Sequence, residues 1–228
     1  MPHVNSRPLP KRPNREAIDK HRVTHTPYQP WCRACVQGRA VATAHERQTV
    51  DHESSESKVA FDWAHLRDKP GGDLACVLVG VDKRTNRRFA VHAMDKQGGN
   101  AETVEQVVVA LKRMGHYGPV TIQSDGEPCL VDLLERVAAM RGSPTVLVRS
   151  PVADSQSNGL VERAVREIEC MCRTLKCDLE SRLGRAVSVH EPIFSWLIRH
   201  SSMILNWQSV GRDGKTPPRT AEGQTLQR

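Results

Sequence analysis

Three acidic residues lie at positions in the sequence from which their carboxylates could reach a common cleft. Asp62 lies within an apolar run, Asp125 directly follows another, and Glu162 comes early in an amphipathic segment. Three clustered carboxylates repel one another unless a cation lies between them, and hard oxygen ligands of this kind suit Mg²⁺ or Mn²⁺. The sequence therefore predicts a divalent-metal site at these residues. For Glu162 taken alone, a solvated surface side chain is the simpler interpretation.

A second set of possible metal ligands lies near the N-terminus. His21 and His25 are spaced to share one face of a helical turn, and Cys32 and Cys35 form a Cys-x2-Cys pair. Two nitrogens and two sulfurs make a ligand set that tetrahedral zinc accepts. Only six residues separate His25 from Cys32, which is short for a zinc finger. A loop with incidental His and Cys residues is the alternative interpretation.

The apolar runs of the chain predict the elements that must position these residues. Strands are expected where apolar runs are bounded by turn residues, and helices where apolar residues recur every three or four positions. The predicted strands are Lys58–Trp63, Leu74–Asp82, Arg88–Ala93, Val120–Ser124 and Thr145–Val148. The predicted helices are Glu102–Met114, Pro128–Met140, the one that carries Glu162, and Pro192–Trp207.

The order of these elements, βββαβαβα with one further helix, predicts an α/β fold. A hairpin-linked trio of strands followed by βα units is typical of a mixed five-stranded sheet with helices on both faces. The short zinc-finger-like segment would precede this domain.

The segment around Glu162 reads as a polar loop, 149–158, that leads into a helix. The buried stripe of this helix is predicted at Val161, Val165, Ile168, Cys172 and Leu175. Glu162 borders that stripe, because neighbouring helical residues are about 100° apart. One turn into a helix, it can therefore reach into a cleft. In the last helix, the buried side is predicted at Ile193, Trp196, Leu197, His200 and Ile204.

Composition and charge limit the classes of protein. The chain has 228 residues and a formal net charge of +7, of which the first fifty residues carry +6. A basic arm on a near-neutral domain fits a polyanionic partner such as nucleic acid, and it also fits a merely solvated tail. No apolar run is long enough to span a membrane, and no signal-peptide core is present. Seven cysteines without an obvious framework favour reduced thiols in an intracellular protein.

The domain organisation follows from these patterns. The sequence predicts a basic disordered arm at 1–19, a zinc-binding-like segment at 20–40, a linker at 41–56, a core domain at 57–210 and a C-terminal tail at 211–228.

The motifs around the three carboxylates resemble the Asp-Asp-Glu signature of retroviral and retrotransposon integrases. They are FDW at Asp62, SDGEP at Asp125 and SQSNGLVERA at Glu162. The 36 residues between Asp125 and Glu162 are close to the spacing in that family. The His-His-Cys-Cys set resembles the family's N-terminal zinc module, with a shorter link. The stretch DGKTPPRTAEG at 213–223 is similar to the end of the core in many retrotransposon integrases.

This resemblance implies a ribonuclease-H-like fold and two reactions on DNA ends. Water cleaves near the 3′ end, and the freed 3′-hydroxyl then attacks target DNA. Asp62, Asp125 and Glu162 would bind two Mg²⁺ (or Mn²⁺), and the His/Cys set would bind Zn²⁺. Gln156 and Asn158 fall where the family contacts element DNA from a flexible loop. The resemblance also implies a homo-oligomer that acts in the nucleus and, since no C-terminal DNA-binding domain follows, a piece of a larger polyprotein.

Three arginines are candidates for contacts with DNA phosphates. Arg166 is expected one turn beyond Glu162 on the same face, and Arg163 and Arg173 near it. Phosphates that approach a metal site need cations beside it, and arginine can bind them through two hydrogen bonds. The alternative for Arg166 is a surface ion pair with Glu162 or Glu169, worth only ~0.2–0.5 kcal/mol, and Arg163 could instead pair with Glu167.

Other functions remain open at this point. A ribonuclease H shares the fold class but usually has a fourth metal carboxylate, for which Asp154 and Glu169 are candidates. A cut-and-paste transposase shares the chemistry of the three carboxylates. A domesticated or fragmentary nucleic-acid-binding protein without activity is a different class, and an intact carboxylate set argues against it.

Overall fold

The computed structural model describes residues 13–38, 57–68, 71–93, 101–149, 155–210 and 216–217, with the side chains of 155–158 left out. The predicted linker at 41–56, most of the basic arm and nearly all of the C-terminal tail lie outside the described residues.

Two short helices precede a core of five strands and four helices. The helices are α1 (Arg15–Thr24), α2 (Arg33–Gly38), α3 (Ala101–Arg113), α4 (Pro128–Arg141), α5 (Ser155–Leu183) and α6 (Pro192–Gln208). The strands are β1 (Lys58–Arg67), β2 (Leu74–Asp82), β3 (Arg88–Ala93), β4 (Val120–Ser124) and β5 (Thr145–Arg149). The predicted order βββαβαβα followed by one helix is confirmed.

The five strands form one mixed sheet in the order β3-β2-β1-β4-β5. Strands β1, β2 and β3 pair antiparallel as a meander. The β1–β4 and β4–β5 pairs are parallel, as helical crossovers require. The mixed five-stranded sheet expected from the sequence is confirmed, and its central strand is β1.

Helices cover both faces of this sheet, which is also as predicted. Ala60 and Ala64 of β1 pack on one face with Val161 and Ile168 of α5, and Phe194 and Leu197 of α6 belong to the same core. On the other face, Phe61 of β1 packs with residues of α3 and α4, among them Leu111 and Leu130. Even-numbered residues of β1 therefore face α5, and odd-numbered residues face α3 and α4.

The N-terminal helices lie against the core through α2, which packs on α5. Gly38 approaches α5 so closely that a Cβ atom there would meet the Thr174 backbone at 2.8 Å. Cys177 of α5 donates a hydrogen bond to Gln37 Oε1 at 2.9 Å and also packs against the cluster of Cys32 and Cys35. The N-terminal segment is thus docked on the helix that carries Glu162.

Several boundaries and one helix face differ from the sequence-based expectation. The predicted disordered arm at 1–19 extends too far, because α1 begins at Arg15 with the Asn14 side chain accepting from the Ala17 N–H. The predicted loop up to Asn158 is too long, because α5 begins at Ser155. In α6, Trp196 is 46% exposed and Ile193 also faces outward.

No helix of the described part of the chain has the length and apolar character to cross a bilayer.

Candidate active site and metal centre

Asp62 and Asp125 lie on neighbouring parallel strands. In the β1–β4 ladder, Lys58 pairs with Thr121 and Ala60 with Gln123. The same register continued by two residues sets Asp62 beside Asp125, directly after the end of β4. Side chains alternate between the two faces of a strand, so Asp62, which lies between Ala60 and Ala64, is on the face that α5 covers. The register places Asp125 on the same face.

Helix α5 brings Glu162 to the same side. Val161 is buried against β1 in the core shared with Ala60, and Glu162 follows it as an exposed side chain at the border of the covered face. Burial raises the pKa of Asp62, and charge repulsion from Asp125 and from Glu162 raises it further, so both carboxylates lie near enough to act on Asp62. The assignment of these three residues to one metal site stays a prediction.

Beyond Ala60, β1 no longer pairs with β4, and two carboxylates lie along this edge of the strand. The β1–β4 ladder stops at Ala60, whereas pairing with β2 continues to Arg67. Asp62 Oδ1 accepts from the Trp63 N–H at 2.7 Å, and Glu169 Oε1 accepts from the His65 N–H at 3.3 Å. Glu169 lies two turns beyond Glu162, so its hydrogen bond fixes α5 along this edge.

Burial and neighbouring carboxylates both disfavour the charged form of Asp62. Burial, together with repulsion from Asp125, Glu162 and Glu127, raises its pKa to about 6, against a lowering by the Trp63 N–H. A carboxylate in this position is destabilised by charges that a divalent cation would offset. The residues present therefore fit the predicted Mg²⁺ or Mn²⁺.

The raised pKa predicts that Asp62→Asn stabilises the protein in the absence of divalent metal. The folded state retains the Asp62 proton up to about pH 6, while the unfolded chain loses it near its ordinary value of 3.8. Wild-type stability therefore falls as the pH rises through this window, and the neutral Asn variant lacks that loss. The Asn side chain can still accept from the Trp63 N–H.

Thermal unfolding checks this expectation. Without added metal, the melting temperature of Asp62→Asn should exceed that of the wild type at pH 7.5, and the difference should shrink at pH 5. Added Mg²⁺ should raise the melting temperature of the wild type only. A variant no more stable than the wild type at pH 7.5 would contradict the electrostatic account.

The three candidate arginines differ in their surroundings. Arg163 pairs with Glu167 at 2.8 Å, which is the alternative considered from the sequence. Arg173 lies 3.5 Å from Glu169 and lines a groove with Arg67 and Lys176. Arg166 is exposed and has no ion pair within the described residues.

The side chains of Gln156 and Asn158 lie outside the described residues, so their role in DNA contact stays a prediction.

The four N-terminal His and Cys ligands form one buried cluster. His21 Nε2 lies 3.3 Å from Cys35 Sγ, and His25 Nδ1 lies 3.5 Å from Cys32 Sγ and 3.7 Å from Cys35 Sγ. All four ligand atoms lie within 4.8 Å of one another. The elements explain the placement, since His21 is in the last turn of α1, His25 caps it in the left-handed region, and Cys35 is in α2.

These distances match a tetrahedral zinc site. With Zn–N near 2.05 Å and Zn–S near 2.3 Å, adjacent N and S ligands of a tetrahedron lie about 3.6 Å apart. Burial lowers the pKa of His25 against the raising effect of Asp178, so its ring is neutral and can act as a ligand near pH 7. The alternative of incidental His and Cys residues in a loop does not account for this convergence, and the residues fit zinc.

The sequence did not predict the roles of three acidic residues, although Glu169 was considered from the sequence as a fourth metal carboxylate. Glu127 adds to the repulsion on Asp62, Glu169 anchors α5 to β1, and Asp178 lies 3.8 Å from His25 Nε2. The first two carry a signal in the sequence, because Glu127 belongs to the SDGEP motif and Glu169 follows Glu162 by seven positions on one helical face. Asp178 carries none, since only tertiary packing brings it to His25.

Comparison with solved structures identifies the fold. The HTLV-2 integrase catalytic core domain in complex with magnesium matches in its trimeric form with a TM-score of 0.52 and 18% identity, over 73% of this chain and 96% of that one. Its dimeric form matches with a TM-score of 0.52 and 17% identity, over 75% and 99%. The chain has an integrase-type fold. The ribonuclease-H-like architecture predicted from the sequence is thereby confirmed.

A larger assembly also contains this integrase-type fold. The simian T-cell lymphotropic virus intasome in complex with the PP2A regulatory subunit B56 gamma matches with a TM-score of 0.56 and 18% identity, over 90% of this chain and 66% of that one. No family model and no curated protein sequence matches the chain. At these identities, the likeness establishes the fold and leaves the chemistry to the residues of this chain.

Proposed function

We propose that the protein is a retrotransposon-type integrase that processes DNA 3′ ends and joins them to target DNA in a metal-dependent reaction. The observation that carries the proposal is the placement of Asp62 beside Asp125 by the β1–β4 register, on the α5 side of an integrase-type sheet, with Glu162 on α5 near enough to act on the charge of Asp62. Three acidic groups directed at one place require a cation, and phosphoryl transfer is the chemistry that such a metal site serves.

Each part of the site has a role in this reaction. Asp62, Asp125 and Glu162 would hold two Mg²⁺, which supply Lewis-acid stabilisation of the attacking and leaving oxygens. Asp62 is held by the Trp63 N–H, and the Glu169–His65 hydrogen bond fixes the helix that carries Glu162. The protein therefore contributes positioning and electrostatics, and no side-chain nucleophile is needed.

DNA ends, target DNA and further copies of the chain are the proposed partners. The groove beside the end of β1 has basic side chains but is also lined by the acids Asp68 and Glu180, so the exposed Arg166 is the stronger candidate for a phosphate contact. Self-association is supported by the exposed apolar face of α6, where Trp196 and Trp207 are exposed. Action on DNA also makes a nuclear location part of the proposal.

The deciding experiment is strand transfer with labelled DNA ends. A set of labelled duplexes carrying candidate element ends is incubated with supercoiled target DNA, purified protein and Mg²⁺, Mn²⁺ or Ca²⁺. Mg²⁺- or Mn²⁺-dependent joining to the target supports the integrase proposal. Metal-dependent cutting of an RNA–DNA hybrid without joining would favour the ribonuclease H alternative. DNA binding with neither reaction would favour the non-catalytic one.

The contacts of Glu169 weigh against a ribonuclease H. As the candidate fourth metal carboxylate, Glu169 would have to face the cation. Its Oε1 accepts instead from the His65 N–H, and its Oε2 lies 3.5 Å from Arg173. These partners fit a structural role along the strand edge. The other candidate, Asp154, lies outside the described residues.

We expect Arg166→Ala to weaken DNA binding without changing stability. Arg166 is exposed, lies off the buried stripe and has no ion pair among the described residues, so a phosphate is available to it as a partner. Loss of one phosphate contact should reduce the slope of log K against log salt concentration by about one unit. Fluorescence anisotropy over a salt series measures this slope.

Arg136→Ala is the matched control for this expectation. Arg136 is also a helical arginine, but it pairs with Asp132 on α4, which covers the opposite face of the sheet. Its removal should leave the salt slope unchanged. If Arg166→Ala binds DNA with the wild-type affinity and slope, Arg166 is a surface residue without a DNA contact.

A further inference from the structure

Beside the His/Cys cluster, one buried ring nitrogen has no hydrogen-bond partner in the described part of the chain. His25 is fully buried, and its Nδ1 faces the sulfurs of Cys32 and Cys35. Its Nε2 points the other way and makes no hydrogen bond. A buried N–H without an acceptor is costly, so the surroundings of Nε2 decide how well His25 can serve as a ligand.

The group that Nε2 faces is a carboxylate on α5. Asp178 Oδ2 lies 3.8 Å from His25 Nε2 and is itself held at 2.9 Å by Arg182 Nε. A metal-ligating histidine usually donates its other ring N–H to a carboxylate or carbonyl, which fixes the tautomer and makes the ligand more basic. His25 and Asp178 have the arrangement that this role requires, at a distance that a small shift of either side chain would close.

We propose that Asp178 is a positioning residue for the N-terminal metal site, and that it ties metal binding to the helix that carries Glu162. The proposal rests on the zinc site inferred above. Asp178 keeps the proton of His25 on Nε2, so that Nδ1 presents its lone pair to the metal. Metal binding orders His25, and the hydrogen bond to Asp178 then docks the N-terminal segment on α5.

The surrounding contacts support this coupling. Gly38 of α2 packs directly on the Thr174 backbone, and Gln37 accepts from Cys177, so α2 meets α5 one turn before Asp178. Asp178 and Glu162 belong to the same helix, sixteen residues or about 24 Å apart. A metal bound at the N-terminal cluster therefore stabilises the C-terminal half of α5, the helix that carries Glu162.

Zinc affinity of the full chain tests the role of Asp178. Zinc is titrated against a chromophoric chelator for the wild type, Asp178→Ala and Asp178→Asn. We expect Asp178→Ala to lose about tenfold to a hundredfold in zinc affinity. Asp178→Asn should lose less, because its amide oxygen still accepts from Nε2. Asp132→Ala is the matched control, since Asp132 forms the same i,i+4 pair with an arginine but on α4, and its affinity should equal the wild type.

A spectroscopic readout separates positioning from general destabilisation. In the zinc-loaded wild type and in Asp178→Asn, ¹⁵N NMR of the His25 ring should show a protonated Nε2 and a metal-bound Nδ1. Metal bound through Nε2, or an Asp178→Ala affinity equal to that of Asp132→Ala, would overturn the proposal. The zinc site itself is tested separately, because it stands if Cys32→Ser/Cys35→Ser loses zinc even when Asp178→Ala does not.

Discussion

Glu162→Gln should lose metal-dependent strand transfer by about a thousandfold or more, since ~4 kcal/mol of lost transition-state stabilisation corresponds to that factor. Glutamine keeps the size of the side chain but not the negative charge that holds the cation. Glu162 is exposed at the border of the face that α5 buries. The substitution therefore leaves the core unchanged, and it relieves Asp62 of one repulsive neighbour.

The measurement is the rate of joining of labelled ends under single-turnover conditions, with DNA affinity measured in parallel. Glu135→Gln is the matched control, because Glu135 is an exposed glutamate on α4, which covers the other face of the sheet. We expect this control to react at the wild-type rate. The integrase proposal fails if Glu162→Gln joins DNA as fast as the wild type does.

The sheet could be predicted from the sequence because its strands are apolar runs closed by turn residues. The bounds of β2, β3 and β4 are those expected, since both faces of these strands are covered and their apolar runs end at turns. Strand β1 is four residues longer than predicted, reaching Arg67 instead of Trp63. Its second half includes the polar His65 and pairs with β2 alone, so hydrophobic pattern gave no signal there.

The helices show where a periodic pattern is insufficient. In α6, apolar residues occur all round the helix, and the prediction placed Ile193, Trp196 and His200 on the buried side. The structure buries Phe194, Ile198 and Ser201 instead. Ser201 is accommodated because its hydroxyl donates to the Leu197 carbonyl at 2.7 Å. A small polar residue that satisfies itself within the helix cannot be recognised as buried from periodicity.

The N-terminal segment illustrates the same limit at the candidate site. The four ligands could be named from residue type and spacing, but α1 could not be predicted, because His21 is the only buried residue of that helix. Its position depends on the His/Cys cluster and on the Asn14 cap, and hydrophobic pattern reports neither. The convergence of Asp62 with Asp125 was foreseeable from parallel strand ends, whereas the approach of Asp178 to His25 depends on how α2 docks on α5.

The Cys32→Ser/Cys35→Ser variant should bind no zinc, whereas the wild type should contain one zinc per chain. Both thiols are buried within ligand distance of the two histidines, and a hydroxyl replaces the soft thiolate that zinc prefers. The binding free energy of a structural zinc, roughly 10–16 kcal/mol in small peptides, is folding free energy for the segment that it closes. In the double variant, residues 13–38 should therefore become susceptible to proteolysis.

Metal analysis of the purified protein and limited proteolysis check both parts of this expectation. Cleavage should appear within 13–38 in the double variant, while the core of α3–α6 and the sheet remains resistant, because its two apolar layers contain none of the four ligands. Cys129→Ser/Cys170→Ser is the matched control, since both thiols are half-buried and lie outside the His/Cys cluster. It should retain one zinc and the wild-type cleavage pattern. Equal zinc content in the two double variants would rule out the N-terminal site, and with it the proposed positioning role of Asp178.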